Sequence, residues 1–108
     1  MIIKDYILPF AMDFTVGLPG NARVMGVQMA PPPLPNPSTT YQVTTTPNIV
    51  IFVAENPTDS MASNIRSREF KAVCSYTDFD DTGLSYIGTV MSPNNYGFNS
   101  YHLYEKMS

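Results

Sequence analysis

Ile49-Val50-Ile51-Phe52-Val53-Ala54 is an unbroken run of six apolar residues, mostly β-branched or aromatic, set between Pro47 and Pro57. A strand with one wet face alternates apolar with polar residues. A run apolar on both faces reads as a strand covered on both sides. Six residues are too few for a helix that stands alone. The stretch is therefore expected to be the central strand of a β-core, with other strands added on either side.

Composition agrees with that start. The 108 residues suffice for one core and not two, so residues 1–108 are expected to form a single domain. Apolar residues make up 44%, too many for a disordered chain, and charged residues only 14%, well below the usual quarter or so. Seven Tyr, six Phe and no Trp accompany many Thr and Val, types that favour strands over helices.

Outward from the central stretch, alternation marks further strands. Residues 2–8 form the first and end at Pro9; residues 12–16 place Met12, Phe14 and Val16 on one face. Leu18-Pro19-Gly20-Asn21 has the residues of a type II turn, which predicts that Phe14–Val16 pairs with the start of a strand over 22–29. After the central strand, 55–67 reads as a loop with one helical turn. Residues 68–76 then alternate, with Phe70, Ala72, Cys74 and Tyr76 facing in and Glu69, Lys71, Val73 and Ser75 facing out. Two last strands, 86–91 and 98–105, flank the turn Pro93-Asn94-Asn95-Tyr96-Gly97, and the final one separates Tyr101 and Leu103 from His102 and Tyr104. The expected fold is all-β: about seven mostly antiparallel strands in a small sandwich or a barrel-like sheet.

Residues 30–47 break the pattern. Five of the ten prolines fall within Pro31–Pro37, and Ser, Thr and Tyr41 follow. Polyproline II is the expected conformation, in a long projecting loop between two core strands, and a disordered spacer is the alternative.

Several function classes fall away on charge and residue supply. Net charge is −3, with six basic residues scattered along the chain, which makes no footprint for nucleic acid. The single cysteine, Cys74, allows neither an internal disulfide nor a thiolate zinc cage. No apolar run approaches the roughly 20 residues of a membrane span, and the opening Met1-Ile2-Ile3-Lys4-Asp5 lacks a signal-peptide layout. A soluble protein made in the cytoplasm is expected.

Motifs for catalysis are equally thin. The acidic turn Asp78-Phe79-Asp80-Asp81-Thr82-Gly83 lacks the ligand spacing of a calcium loop, and Asp is at home in turns. His102 is the only histidine and no nucleophile elbow accompanies it. Cys74 reads as an inert core thiol, so a His102–Cys74 dyad has no support. Neither a phosphate loop nor a cofactor motif is present; no enzyme activity, metal or cofactor is expected. The seven tyrosines exceed what one small core can bury with satisfied hydroxyls, and tyrosine is enriched at protein interfaces. Pro33, Leu34, Pro35 and Tyr41 of the loop, with Tyr96, are the residues expected to meet a partner.

Four blocks taken in order carry a resemblance. They are Tyr6–Pro9 followed by Phe14–Gln28 with its Leu18-Pro19-Gly20 turn and Val27-Gln28; the apolar strand with Glu55-Asn56-Pro57; Phe70–Cys74; and Tyr86-Ile87-Gly88-Thr89-Val90 with Tyr101-His102-Leu103-Tyr104-Glu105. Together they cover about two-thirds of the chain and resemble a family of short uncharacterised proteins from tailed bacteriophages and prophages. The departures are the longer Pro/Thr-rich stretch and a longer segment before Arg68. The resemblance implies a phage origin and an all-β fold, and it brings no functional residues. The expectation is a non-enzymatic virion protein working by protein–protein contacts, as capsid decoration, cement or a head–tail component, in a homo-oligomer or a capsid or tail assembly. The alternative is an anti-defence protein binding a host immune protein or a nucleotide signal, which would gather Arg and Lys around one pocket.

Overall fold

The computed structural model of the chain describes residues 1–30, 48–94 and 97–107. Among them are seven strands: β1 (Ile2–Pro9), β2 (Asp13–Pro19), β3 (Arg23–Met29), β4 (Asn48–Glu55), β5 (Ile65–Cys74), β6 (Leu84–Asn94) and β7 (Gly97–Lys106). They form two antiparallel sheets, one in the order β1-β4-β3 and the other β2-β5-β7-β6. The all-β expectation holds, and the arrangement is that of a small sandwich. Among the described residues no helix is long and apolar enough to cross a membrane.

The apolar run is the middle strand of its sheet. Ile49, Ile51 and Val53 point inward and are at most 1% exposed, meeting Val16 and Leu18 of β2, Phe70 and Ala72 of β5 and Leu103 of β7. Each such large side chain contributes about 1.5–3 kcal/mol on burial, so this two-sided cluster is the main source of stability. Val50 and Ala54 are buried on the opposite face, flanked by side chains of β1 and β3. Cover there is incomplete: Phe52 is only half-buried, and Ile3, Ile7 and Met25 on the flanking strands remain exposed.

Two expectations about β2 and β3 need correction. They do not form a hairpin: β2 pairs with β5 in one sheet and β3 with β4 in the other. The turn is also one residue later than expected, with Ala22 N–H donating to Pro19 O. Gly20 does not take the positive φ that a type II turn would require of it. Gly20 N–H donates instead to the Asn64 carbonyl, and the turn carries the chain from one sheet to the other.

The loop after β4 does contain one helical turn, a 3-10 turn at Ser60–Ser63 in which the Asp59 side chain accepts the Met61 N–H at 2.9 Å. β5 begins at Ile65, earlier than alternation alone suggests, because β2 pairs it from Pro19 onward. The two sheets approach closely where β3 meets β6. A Cβ on Gly88 would come within 3.0 Å of the Val27 side chain, so a larger residue there would push the layers apart. One end of the core holds a charge: Glu55 is 5% exposed, accepts the Tyr6 hydroxyl at 2.6 Å and lies 3.4 Å from Lys4 Nζ.

Candidate functional site

The outer face of the four-stranded sheet carries His102, the one histidine of the sequence, within hydrogen-bond reach of two hydroxyl side chains. Register places Val73 of β5, His102 of β7 and Thr89 of β6 in one row across that face. His102 Nε2 lies 2.8 Å from Ser75 Oγ and its Nδ1 lies 2.8 Å from Thr89 Oγ1, which in turn bonds the Tyr86 hydroxyl. A neutral imidazole satisfies both neighbours, donating to one hydroxyl and accepting from the other. Beneath this chain Val73 is only 3% exposed, although alternation assigns it to the wet side. The outer face is therefore a second, smaller packed layer.

Aromatic rings extend the layer. Tyr104 packs against Phe79 at 5.3 Å and Tyr86 at 5.5 Å between centroids. Phe79 belongs to the loop between β5 and β6, folded back over the sheet. The acidic turn is organised locally: Asp80 accepts the Thr82 N–H, and the hydrogen bonds from Thr82 hold the Asp80 carboxyl below its usual range. Among the described residues no three His, Cys, Asp or Glu side chains gather as metal ligands would.

The loop opens with an unusual residue. Thr77 N–H donates to Cys74 O, closing a turn in which Tyr76 has φ of 68°, a region that L-residues other than Gly, Asn and Asp seldom enter. Its side chain is fully exposed. Tyr76 was expected to face the core as the last residue of its strand. Instead β5 ends at Cys74 and the turn swings Tyr76 into solvent. Backbone strain of this kind costs about 1–3 kcal/mol and collects at functional positions.

His102 and Cys74 lie on opposite sides of their sheet, since Cys74 is level with Tyr101 rather than with His102. No dyad forms between them. The neighbour His102 does have, Ser75, was read only as a solvent-facing strand residue. Ser75 lies just past the strand end, where the turn brings its hydroxyl round to the imidazole, and alternation carries no sign of that. Pro33, Leu34, Pro35, Tyr41 and Tyr96, the residues expected to meet a partner, all lie outside the described residues.

A separate cavity of about 560 Å³ is lined by three of the six basic residues, Arg66, Arg68 and Lys106, together with Glu69 and Glu105. Arg68 is fully engaged: its Nε donates to Glu105 at 3.0 Å and its Nη1 to the Ala22 carbonyl at 2.6 Å. Comparison with protein-family models, curated proteins and solved structures finds no match to this chain.

Proposed function

We propose that the chain is a non-enzymatic bacteriophage protein acting through protein–protein contacts, as a minor structural component of the particle. The observation that carries this reading is Tyr76. A bulky side chain that is fully exposed and bonds to no described residue, held at a backbone position costly for it, makes no contribution among those residues that would offset the strain. Tyrosine in such a place suits a partner: it brings a large, rigid, amphipathic surface with little entropy to lose. Phe79, Tyr86 and Tyr104 supply a neighbouring aromatic surface. The phage setting comes from the sequence resemblance.

The Ser75–His102 pair supports catalysis poorly. The second imidazole nitrogen meets a threonine hydroxyl rather than a carboxylate, so among the described residues no anion balances the imidazolium that a general base becomes. The pair sits on a sheet face, and the cavity described above lies elsewhere. The anti-defence alternative would have cations converging on an anion. Three do line one cavity, yet Glu105 takes up Arg68 and Glu69 stands near Lys106, which leaves a small surplus for a polyanionic ligand.

The test is to give the phage gene the substitution Tyr76→Gly and purify particles on a density gradient. The reading expects wild-type protein to band with particles and the variant to remain with soluble protein. Equal retention of both would remove Tyr76 from the contact.

A further inference from the structure

β5 is paired along one side for most of its length and along the other for only half. Residues Ile65 to Lys71 stand against β2, whereas pairing with β7 starts at Phe70, opposite Glu105, and runs to Cys74. β7 ends at Lys106, so among the described residues the first part of β5 has no strand on its second side. Alternation decides which groups face that gap. Ala72 N–H donates to Met12 at 2.7 Å and the Asn64 carbonyl accepts from Gly20, both on the β2 side. Ser75 N–H donates to Ser100 of β7 on the other side. Even-numbered residues of this segment thus serve β2, and odd-numbered ones serve β7. Ser67 accordingly turns its N–H and C=O into the gap.

The gap is the cavity of about 560 Å³, with Arg66 and Ser67 along one wall and Lys106 and Met107 at its end. Its charge is biased. Three cations face two carboxylates: Arg68 is held by Glu105, Lys106 stands 3.9 Å from Glu69, and Arg66 is exposed without an ion pair among the described residues.

We propose that this gap receives an extended peptide of the partner protein, added as a strand antiparallel to β5 and in line with β7, with an acidic side chain beside Arg66. Main-chain bonds to Ser67 would give affinity, and the surplus cation would select against basic sequences. The proposal rests on the protein-contact reading and names the class of partner segment.

Selection of short random peptides displayed against the full chain tests it, followed by affinity measurement of the enriched peptides on variants. Ser67→Pro removes an N–H from the free side while sparing every bond to β2. The enriched peptides are expected to alternate and to carry Asp or Glu. They should bind Ser67→Pro about tenfold more weakly, the effect of roughly one lost hydrogen bond, and should also weaken on Arg66→Glu, an exposed change that keeps the test valid should Ser67→Pro fail to fold. Binding should be unchanged by Tyr76→Gly. Failure to enrich acidic peptides, or equal binding to both gap variants, overturns the proposal. Particle incorporation separates the two ideas: wild type and both gap variants incorporated alike refutes the gap alone, whereas wild type absent from particles refutes the protein-contact reading beneath it.

Discussion

Tyr76 and Gly83 share nearly the same positive φ, 68° and 72°, each at the third position of a turn at one end of the β5–β6 loop. Glycine enters that region without a steric penalty and tyrosine does not. The loop is thus held at one end by the residue such a turn favours and at the other by one it disfavours.

Tyr76→Gly should therefore stabilise the fold by about 0.5–1 kcal/mol, since relief of left-handed strain exceeds the entropy that glycine adds to the unfolded chain. Chemical denaturation reads the change. A loss of stability would mean that the tyrosine ring makes contacts that its full exposure denies.

The core prediction centres on Phe70, which is 1% exposed and stacks on Phe14 at 5.2 Å. Phe70→Ala should cost about 3–5 kcal/mol. Phe52, although it lies in the central strand, faces the incompletely covered side, and Phe52→Ala should cost only about 1–2 kcal/mol. Equal losses at the two sites would contradict the assignment of faces.

Tyr6 supplies a pH test. Burial, followed by its hydrogen bond to and proximity to the Glu55 carboxylate, pushes its hydroxyl from 10.0 up to about 12. A group whose folded pKa is raised holds its proton more tightly in the folded state. Its contribution is complete below pH 10 and is lost as pH rises through 12. Stability should fall between those values more steeply in the wild type than in Tyr6→Phe. Parallel curves would mean that Tyr6 is not bonded to Glu55.

Replacing His102 by Ala removes the centre of the hydroxyl chain and uncovers Val73. The expected cost is about 1–3 kcal/mol of stability, with particle incorporation retained wherever the variant folds. Loss of incorporation by a stable variant would move the working surface onto His102 itself.

The central strand was legible because its signal is local: six apolar residues between two prolines admit few structures. The partner of β2 was not, because Pro19-Gly20 signals a reversal without stating which sheet receives the returning strand. Val73 was misjudged for a related reason. Alternation assigns a face, but only tertiary packing decides whether that face is dry, and Thr89 and His102, which cover Val73, come from two later strands. Ser75 and Tyr76 depend on where β5 stops, and strand ends are the part of a pattern that hydrophobicity resolves least.

The measurement closest to the central claim is quantitative mass spectrometry of purified particles from the phage proposed to encode the chain. The account predicts the protein at a fixed ratio to the major head or tail subunit across the particle band. Its absence, or a ratio that declines with each round of purification as for a soluble contaminant, would contradict it.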